Sequence, residues 1–235
     1  MQMTMIEALN QALTLEMERD KRVVVFGQDI GVNGGVFRVT EHLQEKFGDQ
    51  RVFDTPLSES AIIGSAVGMS VYGLRPVAEI QFAGFLFLCM SQLVTQAARI
   101  RFRSAGAYTC PMVVRAPYGG GVRTPELHSD SLEGIFMQIP GLKVVIPSNP
   151  HDAKGLLASA VADPDPVLFL ENIKLYRSFR QETPAEYYTI PLGQAKTVQE
   201  GSDVSLFAYG AMVPVAVEAA KQAQKESGTS LEVID

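Results

Sequence analysis

Short runs of apolar residues alternate along the chain with longer segments of helical periodicity. The apolar runs lie at 23–26, 51–53, 76–82, 112–115, 143–146 and 166–170. A short apolar run that lacks polar alternation is typical of a strand buried on both faces. The pattern therefore predicts an α/β fold, in which helices cover both faces of a mostly parallel sheet.

Capping residues mark where several helices begin. Thr4, followed three residues later by Glu7, forms a capping box that predicts a helix from residue 5 to residue 19. Asparagine and proline at 149–150 predict the start of a helix that ends near residue 162. A mostly apolar segment, 85–103, predicts one long helix, and its last turns are rich in arginine, which suits the negative end of the helix dipole.

The alternation of strands and helices is interrupted at 171–191, where charged, aromatic and proline residues predict a linker. A strand–helix–strand pattern resumes over 203–234. We expect one domain over residues 1–185, including the start of the linker, and an incomplete second α/β domain over 186–235. Two strands and one helix cannot cover their own apolar faces, so this second domain is expected to need further residues.

The composition narrows the class of protein. The chain has 235 residues, of which 46% are hydrophobic and 20% charged, as in globular proteins, and its net charge of −6 argues against a nucleic-acid partner. Its two cysteines, Cys89 and Cys110, are too few for a disulfide framework and are expected in the core.

No apolar run reaches the roughly 18 residues of a membrane span. The first residues lack a secretory signal, so we expect the bacterial cytoplasm, with a mature mitochondrial form left open.

Within the segment 54–69, one carboxylate, Glu59, stands at the front of a predicted helix that is otherwise apolar and rich in small residues. Gly64, Ser65 and Gly68 allow another group to approach the backbone of this predicted helix closely. An acid at the mouth of a buried helix is a candidate for catalysis. The alternative is an acid that only meets the positive end of the helix dipole.

His128 is a second candidate, because it lies in the glycine-rich segment 119–130 after a predicted strand. Loops at the carboxyl ends of parallel strands hold the chemistry of many α/β proteins, and histidine transfers protons near neutral pH. The alternative is a surface or capping histidine.

The other glycine-rich segment, 27–35, lacks dinucleotide-binding spacing, which favours a structural turn. Phe82 and Phe85 are expected either in the core or stacked on a flat heterocycle.

Taken together, these segments resemble the beta subunit of the thiamine-diphosphate-dependent 2-oxo-acid dehydrogenases, with the bacterial pyruvate dehydrogenases as the closest likeness. The resemblance covers essentially the whole chain. The matching stretches follow one another in the family's order: FGQDIG at 26–31, GGVF at 34–37, DTPLSE at 54–59, EIQF at 79–82, the segment 119–130, PGLKVV at 140–145 and KLYR at 174–177.

The resemblance implies a thiamine-diphosphate-binding fold, with a pyrimidine-binding domain followed by the start of a transketolase C-terminal-like domain. Glu59 matches the glutamate that hydrogen-bonds the aminopyrimidine ring of the cofactor. Phe85 matches the ring that stacks on this pyrimidine, with Gln81 and Phe82 nearby. His128 matches the active-site histidine that positions intermediates and the incoming lipoyl group.

The implied reaction is decarboxylation of pyruvate, followed by reductive acetylation of the lipoyl group of an acyltransferase core. Branched-chain 2-oxo-acid and acetoin dehydrogenases stay open as alternatives, as does a non-catalytic assembly subunit. Relatives bind Mg²⁺ and the cofactor's diphosphate through Gly-Asp-Gly, which this sequence lacks. The resemblance therefore implies a separate alpha subunit that holds Mg²⁺, in an α2β2 heterotetramer.

The family often holds a potassium ion through main-chain carbonyl groups. The matching positions are Met112, Ala160, Val161, Asp163 and Asp165. The chain also departs from its relatives: the stretch 88–91 lacks the acids that related bacterial subunits carry, and Arg123 stands where they often have histidine. We expect a proton path and substrate contacts that differ there.

Overall fold

A six-stranded parallel sheet forms the centre of the protein. The computed structural model describes residues 1–121 and 123–235. The strands are β2 (Val23–Gly27), β3 (Val52–Asp54), β4 (Arg75–Glu79), β5 (Val113–Tyr118), β6 (Lys143–Val145) and β7 (Val167–Asn172), in the order β3-β2-β4-β5-β7-β6. All neighbouring strands of this sheet pair in parallel, which confirms the predicted fold class.

Helices cover both faces of the sheet and enclose two apolar cores. On one face lie α1 (Met5–Arg19) and α6 (Pro150–Ala162), and on the other lies α3 (Glu59–Val71). Successive strand residues point to opposite faces, so Val77 packs in the first core and Ala78 in the second. Three short helices, α2 (Leu43–Phe47), α4 (Ile100–Arg103) and α5 (Glu133–Phe136), complete this part of the fold.

The start of α1 is fixed by the predicted capping box. The Thr4 amide donates to the Glu7 carboxylate at 2.7 Å, and the Glu7 amide donates to the Thr4 hydroxyl at 3.3 Å. Arg180 also donates to Glu7, and its neighbours in β8 (Gln181–Glu182) pair antiparallel with β1 (Gln2–Met3). The segment after β7 is therefore held against the amino terminus.

The single helix predicted over residues 85–103 is wrong. The chain instead forms a 3-10 helix at Ala83–Cys89, a π-helix at Ser91–Gln96 and a 3-10 turn at Ala97–Arg99 before α4. The Thr95 hydroxyl donates to the Ser91 carbonyl at 2.6 Å, and Arg103 donates to the Thr95 carbonyl. Side chains thus bind carbonyl groups that a regular α-helix leaves to main-chain amides, and this distorts the helix.

No single helix in residues 1–121 and 123–235 is long and apolar enough to cross a membrane. The pair Ala83–Cys89 and Ser91–Arg103 reaches that length and hydropathy only as two segments joined at a bend of 65°.

A second, smaller sheet is formed by the last part of the chain. Its strands are β9 (Thr197–Gln199), β10 (Val204–Phe207) and β11 (Leu231–Ile234), in the order β10-β11-β9, with α7 (Met212–Ser227) between β10 and β11. β10 and β11 run parallel, and β9 runs antiparallel to β11. The domain boundary between residues 185 and 186 stays a prediction.

The segment before this second sheet is anchored by Lys154 of α6. The Lys154 ammonium is buried and donates to the carbonyl groups of Ala185 and Glu186 at 3.1 and 2.9 Å, and to the Gln11 side chain at 2.6 Å. A buried ammonium needs such partners, because its desolvation is costly. The interaction fixes the course of the chain between the two sheets.

Candidate active site

Glu59 is the first residue of α3 and lies at the carboxyl edge of the large sheet, just after β3. Its residue is only 5% exposed, and the preceding Ser58 does not cap the helix with its side chain. Within the described part of the chain, no donor pairs with its carboxylate, and the carboxylate oxygens are not fully enclosed. A sheltered, unpartnered carboxylate of this kind can accept a hydrogen bond from a group outside the chain.

The thiol of Cys89 lies close enough to Glu59 for the charge of the carboxylate to affect its pKa. Burial, and next the charge of Glu59, raise the pKa of Cys89 to about 12, so the thiol stays protonated. Ser60 also donates to the carbonyl of Leu88, which ties the first turn of α3 to the helical stretch that begins at Ala83. Glu59 and Phe85 therefore lie on two elements packed against each other.

Three aromatic side chains at this edge form one cluster. The ring centroids of Phe82 and His128 are 4.4 Å apart, and those of Phe85 and His128 are 5.1 Å apart, close to edge-to-face. Phe82 and Phe85 meet at 6.2 Å. The structure thus brings His128 against Phe82 and Phe85, which are far from it in the sequence, and we call these three residues the aromatic wall.

A close backbone approach places His128 in the aromatic wall. A Cβ atom on Gly84 would lie 2.1 Å from the carbonyl oxygen of Leu127, so only glycine fits there. Leu127 itself has a positive φ of 69°, a strained conformation for leucine. The Nδ1 atom of His128 lies 3.0 Å from the Glu126 carbonyl and must donate to it, which leaves Nε2 of the neutral ring free to accept.

Gln81 and the glycine-rich segment 27–35 complete the rim of the site. Gln81 donates to the carboxylate of Asp29 at 2.9 Å. The amide groups of Gly31 and Val32 donate to the Asp54 carboxylate at 2.7 and 3.3 Å. The glycine-rich segment therefore uses its amide groups within the chain, as a structural turn does.

Sequence comparisons identify the family of the chain. The transketolase pyrimidine-binding domain family matches residues 1–178, and the transketolase C-terminal domain family matches residues 193–235. The Staphylococcus aureus and Bacillus subtilis proteins named pyruvate dehydrogenase E1 component subunit beta are each 58% identical over 234 residues, which cover 100% of this chain and 72% of theirs. The chain belongs to the family of pyruvate dehydrogenase E1 beta subunits. The resemblance seen in the sequence is confirmed.

Solved structures support the same fold. A split-gene transketolase, described as an inactive beta4 tetramer, has a TM-score of 0.79 at 21% identity, over 99% of this chain and 71% of that chain. The transketolase from Leishmania mexicana has a TM-score of 0.75 at 16% identity, over 99% of this chain and 34% of that chain. At such low identity these similarities concern the fold alone.

Two buried polar groups at the ends of β2 and β3 were not singled out from the sequence. The Gln28 amide nitrogen and the Thr55 hydroxyl are enclosed and have no hydrogen-bond partner in the described residues. Phe26 stacks on Phe53 at 5.1 Å on the sheet face of α3. Gln28 directly follows β2 and Thr55 directly follows β3, so both lie at the carboxyl edge of the sheet, as Glu59 does. A polar residue directly after a buried strand was the signal that could have found Gln28.

Four of the five carbonyl groups predicted to hold potassium accept hydrogen bonds from within the chain. Arg75 donates to the carbonyls of Val161 and Asp163 at 2.6 and 3.4 Å. The Met112 carbonyl accepts from the Val167 amide at 3.0 Å, and the Ala160 carbonyl from the Asp163 amide at 3.3 Å. Arg101 pairs with the Asp165 carboxylate at 2.6 Å. A guanidinium therefore supplies positive charge at this position, and the potassium site stays a prediction.

Elsewhere in the described residues, neither a metal-binding cluster nor the cavity beside β6 adjoins Glu59 at the carboxyl edge of the large sheet. Across the described residues, no group of three or more His, Cys, Asp or Glu side chains is arranged to hold a metal ion. A cavity of about 500 Å³ lies between β6, α6 and the segment 190–196, with Tyr209 and Asp235 in its wall. Its lining contains none of the predicted site residues, and a site shared with a second subunit would not form a closed cavity in one chain.

Proposed function

We propose that this chain is the beta subunit of a pyruvate dehydrogenase E1 component. It contributes Glu59 and the aromatic wall, which includes His128, to an active site that an alpha subunit completes. The observation that carries the proposal is the Glu59 carboxylate, which is sheltered at the carboxyl edge of the sheet and has no partner in the described chain. Such a group is suited to bind a hydrogen-bond donor supplied by a cofactor.

The cofactor that the family implies is thiamine diphosphate, and the residues at this edge fit its aminopyrimidine ring. Glu59 would accept a hydrogen bond from the ring, and Phe85 would pack on the ring face, with Gln81 and Phe82 beside it. The unpartnered Gln28 amide and Thr55 hydroxyl offer further polar contacts. When bound, the cofactor supplies a carbon nucleophile and an electron sink for decarboxylation.

The roles of the chain's own residues follow from their surroundings. Glu59 lies at the positive end of the α3 dipole and largely out of water, where a hydrogen bond to a carboxylate is strengthened. The aromatic wall excludes water from the site. The Glu126 carbonyl fixes the ring of His128, and its Nε2 atom can exchange a proton with a bound acid or its product.

The alpha subunit is proposed to hold Mg²⁺ and the diphosphate end of the cofactor, in an α2β2 heterotetramer that acetylates a lipoyl acyltransferase core. The surface beside Glu59 supports a partner there. Leu57 and Tyr72, one at each end of α3, are 81% and 90% exposed, and Gly64 and Gly68 between them are exposed on the same helix. The exposed glycines allow a partner subunit to approach the helix backbone closely, and the two apolar side chains offer it area to bury.

The direct test is reconstitution with the alpha subunit of such a component, followed by turnover with pyruvate. Glu59→Ala and Glu59→Gln should each lower decarboxylation by about a hundredfold or more, as the loss of an acid–base group does. The matched control is Glu45→Gln, in which an exposed acid of the first turn of α2 is neutralised. Turnover of the Glu59 variants within about threefold of wild type would contradict the proposal.

A non-catalytic assembly role predicts a different result. Variants of Glu59 and Phe85 would then leave both the affinity for thiamine diphosphate and the turnover unchanged, whereas Tyr72→Ser would still prevent assembly. The substrate is tested separately, by comparing kcat/KM for pyruvate, a branched-chain 2-oxo acid and acetoin. The proposal expects the highest value for pyruvate.

A further inference from the structure

A cluster of charged side chains is completely buried under the aromatic wall. Arg115 of β5 donates two hydrogen bonds to Glu171 of β7, at 2.6 and 2.7 Å, and a third to Glu79 of β4 at 2.6 Å. The Tyr176 hydroxyl donates to Glu171 at 2.7 Å. We call these four residues the buried ion cluster.

The buried ion cluster contains two carboxylates and only one guanidinium. Arg115 and Glu171 form a bidentate pair, which is the strongest geometry for such ions. Glu79 is left as the excess negative charge, and burial raises its pKa to about 7. Burial also raises the pKa of Tyr176 well above its usual range, so its hydroxyl stays a neutral donor.

The surroundings of Glu79 contain no other charged side chain in the described residues that pairs with it. Arg115 and Glu171 face it from β5 and β7, and the Tyr176 ring lies beyond Glu171. On the β2 side, Gly27 pairs with Glu79, and a Cβ on Gly27 would lie 2.5 Å from the Glu79 main-chain carbonyl oxygen. The remaining neighbour is the loop 28–42, because a Cβ on Gly35 would lie 3.4 Å from both the Glu79 Oε1 atom and the Thr40 hydroxyl.

Two routes connect the buried ion cluster to the aromatic wall. Along β4, the chain runs from Glu79 directly to Gln81 and Phe82. Through side chains, Phe37 of the loop 28–42 packs on Tyr176 at 5.1 Å and on Phe82 at 5.7 Å. Phe82 in turn packs on His128.

We propose that the buried ion cluster positions Phe82 and His128, and that a proton held by Glu79 sets this position. With the proton, the cluster is neutral, and an uncharged acid group faces the loop 28–42 at Gly35, near the Thr40 hydroxyl that donates to the Ile30 carbonyl at 2.8 Å. The loop 28–42 is then drawn onto the strand ends, and Phe37 is pressed against Phe82. Without the proton, the unbalanced charge of Glu79 is buried against this loop, and the contact loosens.

This inference deepens the proposed function, because it assigns positioning residues to the same site. Its first test does not depend on activity. Amide hydrogen exchange is measured by mass spectrometry in the assembled protein without cofactor, for wild type and Glu79→Gln, at pH 6 and at pH 8. Comparison of the two proteins at one pH removes the intrinsic effect of pH on exchange.

We expect equal exchange in the peptide 124–131 at pH 6, because Glu79 is then largely protonated and resembles glutamine. At pH 8, wild type should exchange at least about threefold faster than Glu79→Gln in this peptide, and this ratio should exceed the ratio in α1 and α6, which reports the difference in global stability. The matched control is Glu16→Gln, since Glu16 is also a buried acid whose pKa burial raises, but it lies on α1. A wild-type to variant ratio in the peptide 124–131 that is one at both pH values, or that is no larger than the ratio in α1 and α6, overturns the inference.

The second test is the pH profile of the reconstituted enzyme. The kcat/KM of wild type should fall about fivefold or more between pH 6.5 and 8.5, and Glu79→Gln should abolish that part of the fall. Tyr176→Phe keeps the ring against Phe37 and should retain more than half of the activity, whereas Tyr176→Ala should not.

If no decarboxylation occurs but the exchange result holds, the proposed function fails and the cluster inference stands. If decarboxylation occurs and the exchange ratio is one, only the inference fails.

Discussion

Gly84 lies so close to the carbonyl oxygen of Leu127 that a Cβ atom would come within 2.1 Å of it. Gly84→Ala must therefore push the loop that carries His128 away from Phe82. We expect turnover of the reconstituted enzyme to fall at least about tenfold, with a loss of stability of about 1–3 kcal/mol, as is usual for overpacking.

Gly134→Ala is the control for Gly84→Ala, because a Cβ at Gly134 meets nothing within 4 Å. This control should keep wild-type turnover and unfold at the same urea concentration or slightly higher. If Gly84→Ala behaved in the same way, the position of His128 would not depend on this contact.

Gln28→Met removes an amide group that is buried without a partner. In the assembled protein without cofactor, we expect an unchanged or higher Tm, since no hydrogen bond is lost and a desolvated polar group is removed. The rise in Tm on adding thiamine diphosphate should become smaller if the amide binds the cofactor. An unchanged rise in Tm would show that Gln28 makes no contact with it.

Arg115→Met leaves two buried carboxylates without their cation. We expect a loss of about 3–5 kcal/mol, as for removal of one partner from a buried ion pair. Urea unfolding of the assembled protein measures the loss. The control is Arg22→Met, because Arg22 pairs with Asp20 at the surface, where such a pair contributes about 0–1 kcal/mol. Equal effects of the two substitutions would contradict a special role for the buried cation.

The stability of the protein should depend on pH through Glu79. Its pKa is about 7 in the folded protein, against 4.5 for an ordinary glutamate, so the folded state binds more protons than the unfolded state between these values. The contribution of Glu79 to the free energy of unfolding is therefore largest below pH 4.5 and falls as the pH rises through 7. Glu79→Gln should be increasingly stabilised relative to wild type between pH 5 and pH 8. A constant difference across this range would refute the raised pKa.

Local sequence signals predicted much of the fold. Apolar runs identified the strands, and the Thr4–Glu7 capping box placed the start of α1 correctly. The helix over 85–103 was mispredicted, because the bonds from Thr95 and Arg103 to main-chain carbonyls compete with helical pairing and leave no periodic signature. Contacts of this kind depend on geometry that a pattern of apolar residues does not contain.

The candidate site was predictable only in part. The position of Glu59 at the start of an apolar helix is a local feature, and the structure shows it sheltered there. The meeting of Phe82 with His128 depends on the absence of a side chain at Gly84, and the buried ion cluster joins residues from three strands. The place of His128 in a glycine-rich segment after a predicted strand made it a candidate, whereas Glu79 and Arg115 emerged from the structure.

The central claim is that Glu59 activates a cofactor held between two subunits. It is tested most directly by the rate at which the acidic ring proton of bound thiamine diphosphate exchanges with deuterium from D₂O in the reconstituted enzyme. We predict that Glu59→Gln slows this exchange by about a hundredfold or more while Glu45→Gln leaves it unchanged. Exchange in Glu59→Gln at the wild-type rate, with the cofactor bound, would contradict the account.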